Sequence, residues 1–132
     1  MIKGGCLCGE IQYVYRGTIN ELVVCHCNQC KRAQGTAFAA NAPVDAGLFK
    51  ITSGESLLQV YYSSPKKQRV FCSRCGSPIY SAHADKPAIL RLRVGTITSD
   101  IDHTPDYQQY CESKAAWLEL NLNIPAYRRA KF

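Results

Sequence analysis

A mainly β fold is what this sequence predicts, and three observations carry that prediction. Short alternating or apolar runs recur along the chain, glycine and proline punctuate them, and cysteines stand in tight pairs beside the turns. Many short strands broken by frequent turns argue a sandwich or a folded sheet. The length of 132 residues fits one compact domain over 1–132, with no linker and no low-complexity segment.

Taken in order, residues 10–15 alternate and put Ile11, Tyr13 and Tyr15 on one face. Residues 21–25 and 37–43 are short extended segments, and 48–52, 57–62, 68–71 and 89–94 are further strands. Gly54, Pro65, Gly76-Ser77-Pro78 and Gly95 mark turns between them. Only 29–32 and 113–118 read as locally helical, and both are short. A weak internal echo joins Cys8-Gly9-Glu10-Ile11-Gln12-Tyr13 to Cys75-Gly76-Ser77-Pro78-Ile79-Tyr80. Each copy reads as a cysteine knuckle feeding a strand.

Charge and hydropathy exclude some classes of function. No run approaches the roughly 20 apolar residues of a membrane span. The start, Met1-Ile2-Lys3-Gly4-Gly5-Cys6, has no basic region followed by an apolar stretch, so the expected location is cytoplasmic. In that reducing setting, clustered cysteines read as metal-binding or catalytic rather than disulfide-bonded. The formal charge is +6, but Lys66, Lys67 and Arg69, Arg91 and Arg93, and Arg128, Arg129 and Lys131 are scattered. Without a basic tract, the charge does not point to nucleic acid.

The cysteines carry the chemistry. Of eight, seven fall into Cys6-x-Cys8, Cys25-x-Cys27-x-x-Cys30 and Cys72-x-x-Cys75. Zinc takes four protein ligands when structural and often three when it must bind something else. Cys6 and Cys8 share a side of an extended chain, and Cys72-x-x-Cys75 is a knuckle closed by Gly76, where a positive φ is cheap. One ion on those four sulfurs would be closed and structural, and would contribute directly to folding. Cys25, Cys27 and Cys30 then make an open site. His26 lies between two of these cysteines and points the other way, as a packing or hydrogen-bonding residue. Three thiolates make zinc a poor activator of water and a good holder of a fourth sulfur as thiolate. Such a thiolate could attack a small aldehyde. Lys31 and Arg32 follow at once as candidate cations. Two other groupings are open: a ribbon of Cys27, Cys30, Cys72 and Cys75, or closure of the second site by His26 or Cys111. Cys111 has no partner motif and reads as a free thiol.

Gly4-Gly5-Cys6-Leu7-Cys8-Gly9, Cys25-His26-Cys27-x-x-Cys30-Lys31 and Phe71-Cys72-x-x-Cys75-Gly76 together resemble the glutathione-dependent formaldehyde-activating enzymes, a family that includes centromere-protein-V-like proteins. Gly95-Thr96-Ile97, Ser113-Lys114-x-x-Trp117 and Pro125-x-Tyr127 extend the resemblance over most of the chain. It implies an Mss4-like folded β-sheet domain stapled by zinc, with one structural ion at Cys6, Cys8, Cys72 and Cys75. It implies a second, catalytic-type ion at Cys25, Cys27 and Cys30. The implied activity is that of a carbon–sulfur lyase that reversibly joins glutathione and formaldehyde. Members often carry a histidine before the Ser-Lys pair. Here that stretch is Tyr107-Gln108-Gln109-Tyr110, with His103 a few positions earlier, which leaves the substrate open.

A thiol such as glutathione carries carboxylates, so Lys31, Arg32, Lys66, Lys67, Arg69, Arg91 and Arg93 are candidate contacts. Phe38, Tyr61, Tyr62 and Trp117 are candidate pocket aromatics, with core packing as the ordinary alternative. The competing function is a noncatalytic zinc module that binds protein or nucleic acid. A homo-oligomer is compatible with everything in the sequence and required by none of it.

Overall fold

The structure, a computed structural model, describes residues 1–131. Its strands, in chain order, are β1 (Ile2–Gly5), β2 (Gln12–Tyr15), β3 (Val23–Cys25), β4 (Ala39–Asp45), β5 (Phe49–Ser53), β6 (Leu58–Ser64), β7 (Lys67–Cys72), β8 (Pro78–His83), β9 (Ile89–Arg93) and β10 (Tyr107–Gln109). One helix, α1 (Asn28–Gln34), follows β3. The fold is mainly β, as expected. β1, β2 and β5 form a small antiparallel sheet with β2 central. The other seven strands form a second sheet in the order β10-β3-β4-β9-β8-β7-β6. All its pairings are antiparallel except that of β10 with β3.

The core lies between the sheets. Ile11, just before β2, and Tyr13 and Tyr15 within it pack with Ala42, Val44, Ile79 and Leu92 of the large sheet. The alternation at 10–15 produces this contact, because residues two apart share a face. On the large sheet Val24, Ala40, Ala42, Leu92, Tyr80 and Val70 lie on one face by register. The opposite face, carrying Cys25, Ala39, Asn41, Arg93, Arg91, Ser81, Arg69 and Lys67, is polar. A two-faced sheet with one face in the core and the other free to build a site follows from the two-residue period.

Two elements differ from the sequence expectation. β4 continues through Pro43 to Asp45 instead of ending at the proline. Proline lacks a ladder N–H, but β3 pairs only with Ala39–Asn41, so Pro43 has a neighbour on the β9 side alone. Residues 113–118 are not helical. A single 3-10 turn, Cys111–Ser113, ends at Lys114, which is extended with ψ 137°, and the chain then makes only a turn. A helix this short has little to offset its nucleation cost, and the carbonyl of Ser113 is taken by Lys31 Nζ. Three strands were not assigned from the sequence: β1, β10 and the full extent of β8, of which only the Ile79-Tyr80 start was signalled by the internal echo.

Candidate metal centres

The first cysteine group is built from two similar turns. Cys6 N donates to Ile11 O at 3.1 Å and Gly9 N to Cys6 O at 3.1 Å. In the second turn Cys72 N donates to Ser77 O at 2.9 Å and Gly76 N to Cys72 O at 2.8 Å. Gly9 and Gly76 close these turns with φ of 81° and 82°, a left-handed conformation that favours glycine. Ser77 ties the turns together: its Oγ accepts from Leu7 N at 2.9 Å and lies 3.2 Å from Cys75 Sγ. That hydroxyl, followed by the backbone N–H of Cys8, pulls the Cys75 thiol down to about 5.

The sulfurs of Cys6, Cys8, Cys72 and Cys75 all lie within 4.8 Å of one another. Cys6 Sγ is 3.5 Å from Cys8 Sγ, and Cys8 Sγ is 3.9 Å from Cys72 Sγ. Thiolates about 2.3 Å from a tetrahedral zinc stand roughly 3.8 Å apart, so this donor set fits that ion. These separations are far beyond a disulfide bond, and all eight cysteines are free. Cys6 and Cys72 are buried within the main core, so the group sits where the N-terminal strand meets the β7–β8 turn.

The second group, Cys25, Cys27 and Cys30, also has its sulfurs within 4.8 Å of one another. Cys25 ends β3 opposite Ala39, whose small side chain leaves room above it. Cys27 caps α1: its Sγ accepts from Cys30 N at 3.2 Å, and its carbonyl accepts from Lys31 N at 3.0 Å. That turn carries Cys30 back toward Cys25. Among the described residues no fourth cysteine, histidine or carboxylate joins this group. The ribbon grouping is therefore not formed, since Cys27 and Cys30 lie apart from Cys72 and Cys75. His26 turns away, with Nε2 donating to Gln108 Oε1 at 2.8 Å and its ring 5.9 Å from that of Phe38. Cys111 lies outside both groups.

The three sulfurs open onto a cavity of about 480 Å³. Lys67, Arg69 and Arg91 line it, and buried Arg93 shares their sheet face. The register explains the cation row: Arg69 and Arg91 flank Ser81 on neighbouring strands, and Arg93 stands opposite Asn41, whose Oδ1 accepts from its Nη1 at 2.6 Å. The small, buried Ser81 leaves space for two guanidinium stems. Among the described residues none of these four cations is paired with a carboxylate. Arg69 and Arg93 are 9% and 3% exposed, an unusual depth for arginine without a counter-ion. The cysteine group supplies the missing negative charge. Hydrogen bonds from Cys25 and then Cys27 pull the Cys30 thiol far down, and Arg93 and Arg69 add to the effect. The same sharing pushes Cys25 up, through Cys27 and then Cys30. Burial, then Arg69, lowers the pKa of Lys67.

Several expected contacts are not made here. Lys31 is held by the Ser113 carbonyl, and exposed Lys66 pairs with Asp85 at 3.1 Å. Trp117 and Tyr62 are exposed and lie outside the lining of this cavity. Conversely, Gln109, Tyr110 and Ser113 line the cavity, although the sequence offered none of them as a ligand contact. Gln109 is aligned with Cys25 by the parallel pairing of β10. Tyr110 packs on Cys25 and Cys30 from a left-handed backbone, φ 56°, rare for a bulky residue. The only sequence signal was the Ser-Lys pair itself, which begins at Ser113, with Gln109 and Tyr110 just before it.

The family model described as glutathione-dependent formaldehyde-activating enzyme matches residues 1–113, a stretch that contains both cysteine groups. The chain belongs to the glutathione-dependent formaldehyde-activating enzyme family. A Halomonas elongata protein that carries this family's name is 27% identical over 128 residues, covering 91% of this chain and 81% of that protein. A solved structure of a Rhodobacter sphaeroides protein superposes with a TM-score of 0.62 at 20% identity, covering 76% of this chain and 91% of that one. At that identity the likeness concerns the fold alone. Family membership supplies a thiol and an aldehyde as the reactants to be weighed against the geometry.

Proposed function

We propose that this protein is a zinc-dependent carbon–sulfur lyase acting in the cytoplasm as a single domain. It reversibly joins glutathione, or a similar anionic thiol, to a small aldehyde such as formaldehyde. The observation that carries the reading is the three-sulfur group opening onto a cavity lined by cations that have no carboxylate partner among the described residues. Zinc bound by Cys25, Cys27 and Cys30 would keep an incoming thiol ionised and nucleophilic. Zinc at Cys6, Cys8, Cys72 and Cys75 would be structural.

In this reading Lys67, Arg69 and Arg91 bind the carboxylates of the thiol and offset the added negative charge. The cavity walls hold sulfur and aldehyde together, which converts a bimolecular encounter into a local one. The sulfur lone pair forms a bond to the carbonyl carbon, the C=O π pair moves to oxygen, and that oxygen takes a proton. The reverse breaks the carbon–sulfur bond and returns the proton.

The test is metal content together with calorimetric titration of reduced, zinc-loaded protein with glutathione and with S-methylglutathione. The expected result is two zinc ions per chain and binding of glutathione at least about tenfold tighter than of its S-methyl derivative. Cys30→Ser should lose that preference and stay folded. One zinc per chain and no preference for the free thiol would overturn the proposal. Partner binding that survives Cys30→Ser would favour a noncatalytic module instead.

A further inference from the structure

The wall that carries Gln109 and Tyr110 to the three sulfurs is thin. It is β10, three residues long, paired in parallel with β3 and covered on its other edge, among the described residues, by 125–129. Gln108 N donates to Pro125 O at 2.9 Å, Tyr127 N to Gln108 O at 2.8 Å, and Tyr110 N to Arg129 O at 3.1 Å. Parallel pairing is slightly weaker per residue than antiparallel pairing, so a ladder of three residues holds poorly by itself.

Three side-chain ties hold this wall against the cysteine segment. Asp106 Oδ2 accepts from Leu22 N at 2.8 Å, His26 Nε2 donates to Gln108 Oε1 at 2.8 Å, and Lys31 Nζ donates to the Ser113 carbonyl. In the chain they stand before, between and after Cys25, Cys27 and Cys30. Of the three, only the middle tie joins two side chains and is buried at both ends, His26 at 1% and Gln108 at 7% exposure. His26 N also donates to Gln109 O at 3.0 Å, so one residue grips β10 by main chain and by side chain. Neither His26 nor Gln108 lines the thiol cavity. Their influence on the site passes through β10.

We propose that His26 and Gln108 are positioning residues: their buried bond fixes where Gln109 and Tyr110 stand beside Cys25 and Cys30, and so shapes the space that a thiol enters. That last step rests on the thiol reading proposed above; the placement of β10 does not. The physical reason is an asymmetry. Removing one partner leaves the other buried and unmet, a state that water relieves only when β10 lifts away. Tyr110 adds to the demand, because its left-handed backbone persists only where the surroundings enforce it. The sulfurs do not need this tie. Cys25 is set by the pairing of β3 with β4, and Cys27 and Cys30 by the cap of α1. Loss of the tie should therefore loosen the wall and spare the metal ligands.

The test uses the full, zinc-loaded chain with His26→Met, His26→Gln or Gln108→Met. A glutamine amide nitrogen can take the place of histidine Nε2 and donate to Gln108 Oε1, whereas methionine has a similar length and no donor. Both methionine variants should keep the zinc content and near-ultraviolet circular dichroism of the unaltered protein. Hydrogen exchange at the Gln108 and Tyr110 amides should quicken about tenfold or more, while the Gly76 amide at the four-sulfur centre keeps its rate. Glutathione, titrated calorimetrically, should bind about tenfold more weakly, and His26→Gln should bring exchange and affinity back to within about threefold. Zinc loss or general unfolding in both methionine variants would make the pair structural and overturn the proposal. Unchanged exchange, unchanged glutathione affinity or no rescue by His26→Gln would overturn it too. If the unaltered protein binds no glutathione, the proposed function fails, and the exchange pattern with its rescue decides the placement of β10 by itself.

Discussion

Tyr13 shows how much a single side chain does in a core this small. It is 1% exposed, its hydroxyl is 2.7 Å from Thr96 Oγ1, and its ring centroid lies 5.0 Å from that of Phe49 in a tilted contact. Burial raises its pKa to about 12, outweighing the opposing Thr96 bond. A raised folded-state pKa stabilises the protein fully below the unfolded value of about 10 and loses that contribution as pH rises toward 12. Stability should therefore fall by roughly 2–3 kcal/mol between pH 10 and 12, as only the unfolded chain ionises at this residue. Urea unfolding across that window checks this. Tyr13→Phe should cost about 1 kcal/mol at pH 8 through the lost hydrogen bond but flatten the alkaline decline. An equally steep decline in Tyr13→Phe would rule Tyr13 out as its source. Cys25 and Cys30 show a different residue-scale effect. Identical in type and within reach of each other, they are driven in opposite directions because a single negative charge is shared within the group.

Among the elements, β1 is set by what its glycines omit. A Cβ on Gly5 would stand 2.6 Å from the Ile11 carbonyl oxygen, a backbone atom that cannot swing aside. A Cβ on Gly4 would strike the Tyr13 hydroxyl. β1 must lie this close to β2 for Cys6 and Cys8 to turn back toward Cys72 and Cys75. Gly5→Ala should therefore destabilise the domain by about 2–4 kcal/mol and lower the zinc content of the four-sulfur centre. Denaturant unfolding with metal analysis tests this, and an unchanged midpoint with full zinc would contradict it. Helix α1 makes the complementary point. Seven residues long, it depends on Cys27 as its cap and on Gly35, at φ 68°, as its stop. Residues 29–32 were legible as helix because turn former and knuckle coincide there. Residues 113–118 had comparable local propensity and no cap, and they did not form one.

At the scale of the molecule, the four-sulfur centre joins positions 64 residues apart, Cys8 and Cys72. Closing a loop of that size is entropically costly, and an ion that binds only the folded arrangement offsets the cost. The three-sulfur group spans a few residues and restrains little of the chain. Chelation should consequently proceed in two steps. One zinc should leave with the tertiary signal in near-ultraviolet circular dichroism retained, and the second should leave together with that signal. Loss of both ions in one step, or full retention of tertiary structure in the metal-free protein, would refute this division of labour. Net charge acts at the same scale: the formal +6 is scattered along the chain, yet folding gathers four cations with no carboxylate partner among the described residues onto one sheet face beside the three-sulfur group.

The seven clustered cysteines, their division into four and three, the burial of Ile11, Tyr13 and Tyr15, and the turn of His26 away from the sulfurs could all be read in the sequence. Each depends on spacings of two or three residues, and local geometry fixes those. The cation row could not. Lys67, Arg69, Arg91 and Arg93 looked like ordinary surface charge, because the face each one takes depends on register with strands distant in the chain, and on Ser81 leaving room between two of them. β10 was invisible for the same reason: three residues pairing in parallel with β3 carry no period of their own. Ligand spacing is a property of a segment, whereas the environment of a charge is a property of everything folded around it.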